Sequence, residues 1–330
     1  MSKIMKVCAY PTDWGEEQSL QEILAAARQI GLEIAVDRTM SVLSEIGLFL
    51  GHHKKNVPSL AREPVIMLHD LGQAHNVWPN FWEKEPWNEY SYGLLPNQAW
   101  LNMYRTFPDE TKKPRKGVKV LGWPKSDQYY STSGRPAGAP PAAFKNRRLT
   151  VLYAPSWEFD NQQDQLVQSL RHLPVQILIK QHYWTGMGHM ERVNAMAKLH
   201  GTKYRNVTIL NPKTRIFDAL RHTDIIVSDE SSTLVEGFFA GCYPISVTDW
   251  KIPDVNPPRP PSVPFPFVQK VQTKDLSSCI AELSNIEAFS GAISQAAAHA
   301  EYIPENHGCS AATYADFLNQ LATESVELNI

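Results

Sequence analysis

The sequence predicts an α/β protein of two domains, in which the second domain holds a parallel sheet covered by helices on both faces. Three observations lead to this expectation. The chain has 330 residues, which is too many for one small hydrophobic core. Its second half alternates short apolar runs with amphipathic segments, an order typical of successive β-α units. A stretch rich in Ser, Gly, Pro and Ala at 131–141 is typical of an interdomain linker.

The composition excludes several classes of protein. A hydrophobic content of 43% and a charged content of 20% are typical of a soluble globular protein, and the net charge of −2 argues against a nucleic-acid binder. Four cysteines without metal-ligand spacing indicate reduced thiols in a cytoplasmic protein. No signal peptide is visible, and no apolar run is long enough to span a bilayer. Membrane contact is therefore expected to be peripheral at most.

The first half is expected to form the N-terminal domain, at 1–135. Hydrophobic patterning predicts strands at 4–9, 33–36, 64–68 and 118–121, and helices at 18–30 and 40–50. Gly31 is expected to end the first helix. The region between 69 and 117 has no clear pattern but is rich in aromatic residues: Trp78, Phe81, Trp82, Trp87, Tyr90, Tyr92 and Trp100. These side chains are either a bulky core or a patch for an acceptor or a membrane interface.

The second domain is expected at 136–310, followed by a helix at 311–330 that packs back on the N-terminal domain. Strands are predicted at 149–154, 175–180, 207–210, 224–228 and 243–247, with helices at 162–172, 189–200, 214–222 and 232–240. The segment 249–267 contains seven prolines and is expected to be a surface loop or strap. The chain from residue 275 onward is expected to be mostly helical.

Polar residues follow four of the predicted strands in the second domain, where ligands of parallel sheets bind. They lie in the segments Pro155-Ser156-Trp157, Lys180-Gln-His182, Asn211-Pro-Lys-Thr214 and Asp229-Glu-Ser-Ser-Thr233. The hydroxyls of Ser231, Ser232 and Thr233 stand at a helix start, where they either cap the helix or hold a diphosphate. Glu236, one turn later, is either a ribose ligand or an acid favoured by the helix dipole. Lys180 and His182 are expected on one face of their strand, where they could neutralise a phosphate.

His69 follows the predicted strand at 64–68 in the first half. A histidine at such a position can take a proton from an acceptor hydroxyl, since its usual pKa is close to neutral. Asp70 or another carboxylate is expected to orient the ring; the alternative is a satisfied loop histidine. No zinc motif, phosphate-binding P-loop, Gly-x-Gly-x-x-Gly or Gly-x-Ser-x-Gly sequence is present, which disfavours the enzyme classes that use them.

Five segments in this order resemble the CDP-glycerol glycerophosphotransferase family of teichoic-acid and capsule polymer synthesis. They are His69-Asp70, Gly122-Trp-Pro-Lys-Ser-Asp127, Tyr153-Ala-Pro-Ser-Trp157, Lys180-Gln-His182 and Asp229-Glu-Ser-Ser-Thr-Leu-Val-Glu236. His307-Gly308 also stands where the family often has a glycine-containing turn before its last helix. The resemblance spans residues 65 to 320.

The resemblance implies a GT-B fold, with two Rossmann-like domains whose parallel sheets face a central cleft. It implies transfer of glycerol phosphate from a nucleotide-diphosphate donor such as CDP-glycerol to a hydroxyl of a glycan or lipid-linked acceptor. The N-terminal domain would bind the acceptor and the C-terminal domain the donor, with no cofactor and no metal at the donor site. Carried over, His69 is the general base and His182 a catalytic contact to the donor phosphates. The implied substrate-binding residues are Asp127, Ser156, Trp157, Lys180, Asn211, Asp229, Ser231, Ser232, Thr233 and Glu236.

The sequence departs from the family pattern at Asp70, Lys125, Glu158, Tyr183 and Glu230. These departures admit a different nucleotide-linked donor that carries a sugar or a polyol phosphate. Two alternatives to the transferase therefore stay open. One is a GT-B nucleotide-sugar epimerase. The other is a non-catalytic module that binds polymer or a synthase through its aromatic segment and the basic run at 112–116.

Overall fold

The computed structural model describes residues 4–133, 148–182 and 190–327. These residues form two compact units. Unit 1 comprises residues 4–133 and 301–327, and unit 2 comprises the described residues from 148 to 300. The predicted linker at 131–141 begins in a helix that ends at Ser133, and the remainder of that stretch lies outside the described residues.

Unit 1 contains a six-stranded sheet in which all neighbouring strands are parallel. The strands are β1 Met5–Tyr10, β2 Ala35–Val36, β3 Ser44–Phe49, β4 Ala61–Met67, β5 Tyr92–Leu95 and β6 Val118–Val120, in the spatial order β2-β1-β3-β4-β5-β6. Because β1, β3 and β4 are central, the carboxyl ends of these three strands meet at the middle of one sheet edge. The predicted strands at 4–9, 33–36, 64–68 and 118–121 all appear in this sheet.

Among the described residues, the α-helices of unit 1 are α1 Trp14–Gln29, α2 Phe81–Lys84, α3 Gln98–Thr106, α4 Asp127–Ser133 and α11 Ser310–Glu327. The side chain of Asp13 caps the start of α1 by accepting a hydrogen bond from the backbone N–H of Glu16, at 3.1 Å. The helix ends before Gly31, whose φ of +74° is a left-handed conformation that glycine adopts without strain. The predicted end of the first helix is confirmed.

The helix predicted at 40–50 is wrong, because residues Ser44–Phe49 form strand β3. This strand pairs on both sides and is almost wholly buried, so its apolar residues do not alternate with polar ones. A short continuous apolar run cannot be assigned to helix or strand by periodicity alone. A side chain at Gly47 would place its Cβ 2.6 Å from the Cβ of Ala61, so the glycine permits the close approach of β4.

The aromatic residues of the unassigned region form the core of unit 1. Trp82, Trp87 and Trp100 are at most 1% exposed. Each of the three rings meets the ring of Phe81 edge to face, and the Trp82 and Trp87 centroids lie 5.8 Å apart at 86°. The core interpretation is therefore confirmed for these side chains, since buried indoles cannot form an external patch.

Unit 2 also contains a six-stranded parallel sheet. Its strands are β7 Leu149–Tyr153, β8 Val175–Ile179, β9 Val207–Ile209, β10 Ile225–Ser228, β11 Tyr243–Val247 and β12 Gln269–Val271, in the spatial order β12-β11-β10-β7-β8-β9. The five predicted strands are confirmed. Patterning did not predict β12, which has only three residues.

The helices of unit 2 are α5 Gln162–Leu170, α6 Met190–Lys203, α7 Ile216–Leu220, α8 Thr233–Phe239, α9 Thr273–Leu283 and α10 Ile286–Ala297. They alternate with the strands as predicted; His189, the expected first residue of one helix, lies outside the described residues. The proline-rich segment 249–267 holds no helix or strand beyond an isolated bridge between Ile252 and Arg259, as expected of a strap. None of the helices, as far as they are described, is long and apolar enough to cross a membrane.

Candidate functional site

Asp229 organises the carboxyl edge of the unit 2 sheet. Its buried carboxylate accepts hydrogen bonds from the backbone N–H groups of Ser156, Trp157 and Ser231, each at 3.0 Å. The hydroxyl of Ser228 donates to the same carboxylate at 3.2 Å. Burial raises the pKa of Asp229, although these hydrogen bonds oppose the rise. The residue thus ties the turn after β10 to the turn after β7, and its oxygens are engaged by the protein.

The hydroxyl-bearing residues at the start of α8 have separate partners. Thr233 donates its hydroxyl to the carbonyl of Ala154 at 2.8 Å, which is a second link between β10 and β7. The Ser231 hydroxyl accepts the N–H of Thr233 at 3.3 Å, and Ser232 makes no side-chain cap to the helix. Ser231 is buried, whereas Ser232 and Thr233 are half-buried. The Ser232 hydroxyl therefore does not cap α8 in this structure.

Two acids flank this turn. Glu236 lies in the first turn of α8 and is buried. Glu230 is bound by the strap: the Arg259 guanidinium donates to both of its carboxylate oxygens, at 2.6 and 2.7 Å, and the N–H of Ser262 donates at 2.7 Å. Arg259 is also paired with Asp254 within the strap. Glu230, one of the departures from the pattern of the resembled family, thus fastens the proline-rich segment to the turn.

The three residues after β8 differ in burial. Lys180 is half-buried, and its ammonium donates to the carbonyl of Pro212 at 3.3 Å. His182 is exposed. Gln181 is buried and donates to Glu158, whose carboxylate also accepts from the hydroxyl of Tyr153. Glu158, another departure from the family pattern, therefore joins the ends of β7 and β8.

The remaining predicted contacts of unit 2 are spread along the same sheet edge. Ser156 and Trp157 are half-buried, with their backbone held by Asp229. Asn211 is exposed, and its side-chain oxygen accepts the N–H of Lys213 at 2.9 Å in a local turn. The strand ends thus bring these residues to one edge, where backbone N–H groups, hydroxyls and amides predominate.

His69 of unit 1 is held by a carboxylate that sequence reasoning did not name. Its Nδ1 lies 2.7 Å from Oε1 of Glu16, whose side chain is only 1% exposed. A carboxylate can only accept, so Nδ1 carries the proton and Nε2 is the basic nitrogen of the neutral ring. The expected partner, Asp70, has its carboxylate 3.9 Å from Nε2, and the carboxylate of Asp13 lies 3.7 Å from the same atom.

The pKa of His69 reflects these opposing influences. Burial alone lowers it, but the hydrogen bond to Glu16 and the charges of Asp70, Asp13 and Glu16 raise it above its usual value. Glu16 is itself held by Thr12, whose hydroxyl donates to it at 2.7 Å and whose backbone N–H also donates to it. A histidine with Nδ1 fixed in this way and Nε2 at the strand ends has the geometry of a general base.

Comparisons with known proteins bear on the fold. No family model matches the sequence, and no curated protein matches it. Solved structures are similar over almost the whole chain. The wall teichoic acid polymerase TagF aligns with a TM-score of 0.63 at 12% identity, covering 99% of this chain and 91% of that chain. MurG of Acinetobacter baumannii aligns with a TM-score of 0.54 at 12% identity, covering 96% and 99%.

A UDP-GlcNAc 2-epimerase from Neisseria meningitidis, solved with UDP-GlcNAc bound, is also similar. The TM-score is 0.53 at 11% identity, and the alignment covers 97% of this chain and all of that chain. The fold is GT-B. Identities this low show the fold alone, so the two parallel α/β units are confirmed, whereas activity has to be argued from the residues.

The segment that follows β3 carries a second group that sequence reasoning missed. His52 and His53 follow β3, and their Nδ1 atoms lie 3.1 and 2.6 Å from the carboxylate of Glu85. Burial raises the pKa of Glu85, but the two histidines lower it to about 2 overall. The ring of His52 lies 4.3 Å from that of His69. These histidines were overlooked because their strand was assigned to a helix; read as a strand end, His52-His53 would have been a candidate.

Asp127, a predicted substrate contact, is buried and receives the backbone N–H of Ala311 at 2.6 Å, at the start of α11. Burial raises its pKa to about 6. Gly122 of the same segment has φ of +95°, and a Cβ there would lie 2.1 Å from the carbonyl oxygen of Glu305. The segment 122–127 therefore anchors the C-terminal part of unit 1, a structural role that the sequence pattern alone did not reveal.

Proposed function

We propose that this protein is a GT-B transferase that moves a glycerol-phosphate unit, or a related polyol-phosphate or sugar unit, from a nucleotide-diphosphate donor to a hydroxyl of a glycan or lipid-linked acceptor. The observation that carries this proposal is the Glu16–His69 pair at the carboxyl ends of β1 and β4. It supplies a histidine whose protonated nitrogen is turned to a buried acid and whose basic nitrogen is available. The fold is one that the wall teichoic acid polymerase TagF also has, so the proposal is compatible with it.

With CDP-glycerol as donor, the acceptor hydroxyl oxygen attacks the phosphorus that bears glycerol. A new P–O bond forms as the bond to the CMP oxygen breaks, and CMP leaves with that electron pair. The hydroxyl proton passes to Nε2 of His69, and Glu16 stabilises the imidazolium that results. The product is a phosphodiester between acceptor and glycerol.

The unit 2 strand ends suit the departing nucleotide. Lys180 provides positive charge, Lys180 and His182 provide hydrogen-bond donors for phosphate oxygens, and backbone N–H groups of the turn that begins at Asp229 can add to them. Ser231, Ser232 and Thr233 are assigned to the diphosphate and Glu236 to the ribose. Ser156, Trp157 and Asn211 complete the donor contacts. Asp229 acts by positioning the two turns.

The test has a binding part and a reaction part. Thermal-shift titration with CDP, UDP, GDP and CMP identifies the base, and a shift with CDP but not with the others supports CDP-glycerol. Release of CMP from CDP-glycerol is then measured with a glycerol-phosphate-primed lipid acceptor. CMP release that requires the acceptor, and a phosphodiester product seen by mass spectrometry, are the expected results. No shift with any nucleotide would overturn the proposal.

A second candidate is a nucleotide-sugar epimerase, favoured by the likeness to the UDP-GlcNAc 2-epimerase. It differs from the transferase in needing no acceptor. Incubation with UDP-sugars alone, followed by NMR of the sugar, separates the two. Epimerised sugar without acceptor would favour the epimerase, and an unchanged sugar favours the transferase.

The structure does not favour the third alternative, a non-catalytic module that binds polymer or a synthase. The tryptophans that would form a binding patch are largely core residues. The basic run is engaged by acids: Lys112 pairs with Glu83 at 2.8 Å, and Lys116 pairs with Glu63 at 2.7 Å. Lys113 pairs with Glu110 at 2.6 Å. Membrane contact through this run is accordingly not part of the proposal.

A further inference from the structure

Two histidines at the carboxyl edge of the unit 1 sheet are anchored in the same way. His69 directs Nδ1 to Glu16 and His52 directs Nδ1 to Glu85, and both carboxylates are largely buried. Each carboxylate accepts the Nδ1 proton, which leaves Nε2 of each neutral ring with its lone pair. Metal-binding histidines in proteins are commonly oriented by this carboxylate–imidazole arrangement.

Carboxylate oxygens of Asp13 and Asp70 lie close to Nε2 of His69. His52, His69 and Asp70 each offer one ligand atom, and these atoms lie within 4.8 Å of one another. Asp13 brings Oδ2 to 3.7 Å from Nε2 of His69, while its other oxygen caps α1. The side chains of His52 and Asp70 are 35% and 38% exposed, so an ion can enter from solvent.

We propose that His52, His69 and Asp70 bind one divalent transition-metal ion, with Asp13 or water completing its coordination. Two imidazole nitrogens with carboxylate oxygen suit Zn²⁺, Co²⁺ or Mn²⁺ better than Mg²⁺ or Ca²⁺, which prefer ligand sets made of oxygen. Ligands at about 2.0–2.2 Å from a tetrahedral zinc lie on the order of 3.4 Å apart. The three atoms must therefore move closer together when an ion binds, and His52 and Asp70 are the more exposed of the three side chains.

The charges around the two rings favour a cation over an anion. Four carboxylates, from Asp13, Glu16, Asp70 and Glu85, surround His52, His53 and His69. With the histidines neutral, the cluster carries excess negative charge. The carboxylates of Asp13 and Asp70 therefore attract a divalent ion.

Metal binding and the proposed reaction use the same atom. An ion on Nε2 of His69 prevents this nitrogen from accepting a proton, so the metal-loaded protein is expected to transfer more slowly than the metal-free protein. The binding inference itself does not rest on the proposed function, because it is measured without donor or acceptor. A protein that binds zinc and transfers nothing contradicts only the proposed function.

The experiment uses the full chain, stripped with a chelator and desalted. Equilibrium dialysis against Zn²⁺ with elemental analysis measures stoichiometry, and Co²⁺ loading with visible absorption reports ligand type. One equivalent of zinc per chain and a Co²⁺ spectrum typical of nitrogen and oxygen ligands are expected. His52→Ala and Asp70→Asn should each weaken binding at least tenfold. Less than a tenth of an equivalent retained by the wild-type protein would overturn the proposal.

His53→Ala is the matched control. His53 neighbours His52 and bonds to the same glutamate, but it is outside the ligand set. Its substitution is expected to leave zinc affinity within about threefold of wild type. A loss in His53→Ala as large as that in His52→Ala contradicts the assignment. Circular dichroism of each metal-free variant checks the fold, and Asp70→Asn, at a partly exposed position, serves if His52→Ala does not fold.

Discussion

Each of the two sheets of this protein has six parallel strands, yet the residues at their carboxyl edges differ in chemistry. At the edge of unit 1, imidazoles face carboxylates, as in the pairs His69–Glu16 and His52–Glu85. At the edge of unit 2, the buried carboxylate of Asp229 faces backbone N–H groups. In unit 1 the buried acids thus orient imidazole rings, whereas in unit 2 the buried acid holds the backbone of two turns in place.

This difference indicates how two sheets of the same architecture can carry different chemistry. A carboxylate that faces an imidazole sets the ring's orientation and proton affinity, which suits proton transfer or cation binding. A carboxylate consumed by backbone N–H groups organises turns whose other N–H groups and hydroxyls suit an anionic ligand. The partner of the buried acid therefore decides the chemistry of each edge.

The largest effect on activity is expected from substitutions that break the imidazole–carboxylate pair of unit 1. His69→Ala should lower kcat for transfer by about 10²–10⁴-fold, because the general base is lost. Glu16→Gln should cost on the order of 10⁴-fold, since the amide NH₂ can donate to Nδ1 and hold the ring in the tautomer that has its proton on Nε2. Initial rates of nucleotide release at saturating donor provide the measurement.

His172→Ala is the control, since His172 is an exposed histidine of unit 2 outside the proposed machinery. Its rate should equal that of the wild-type protein. Full activity in His69→Ala would remove the general-base role and the functional contrast between the two edges.

The next effect concerns Asp229 in unit 2. Asp229→Asn places an NH₂ group where a carboxylate oxygen receives backbone N–H, so at least one buried donor loses its acceptor. A loss of about 3 kcal/mol in the free energy of unfolding is expected, together with weaker nucleotide binding. Urea unfolding followed by far-UV circular dichroism measures the first effect. Asp249→Asn is the matched control, because exposed Asp249 accepts from Thr273 through an oxygen that Asn retains.

The third prediction concerns Asp127, a buried acid of unit 1 whose hydrogen bond comes from a backbone N–H group. It tests how such an acid changes the stability of the protein with pH. The folded pKa of this carboxyl, about 6, lies above the unfolded value of 3.8. Its contribution to stability is therefore fully present below the unfolded pKa and is lost as the pH rises through about 6. Relative to Asp127→Asn, the wild-type protein should gain about 2 kcal/mol between about pH 8 and pH 4.5. Parallel stability curves for the two proteins would contradict the raised pKa.

The smallest effect concerns the strap. Arg259→Ala removes both guanidinium bonds to the buried carboxylate of Glu230 and should lower the free energy of unfolding by on the order of 1–2 kcal/mol. The strap should also become more sensitive to protease near residue 259. Arg38→Ala, which breaks an exposed pair with Glu17, is the control and should change neither property. Equal protease sensitivity of Arg259→Ala and wild type would show that Glu230 does not hold the strap.

Pattern alone predicted most of the unit 2 sheet, because its strands and helices alternate with distinct periods. It failed at Ser44–Phe49, where a strand buried on both faces has no alternation to read. That error concealed His52 and His53. Asp127 shows a different limit of sequence analysis. Its segment at 122–127 suggested a substrate contact, but its carboxylate accepts a hydrogen bond from the start of α11, 184 residues away in sequence.

The sequence by itself determined the alternating α/β order, the positions of the polar strand ends and the candidacy of His69, because these depend on local periodicity and on residues near one another in the chain. Only the tertiary structure decided that Glu16 orients His69, since the two are 53 residues apart and meet through parallel pairing of β1, β3 and β4. It also decided that Glu230 holds a strap and that Asp229 holds two turns. Hydrogen-bond partners across a sheet are set by strand order, which no local pattern encodes.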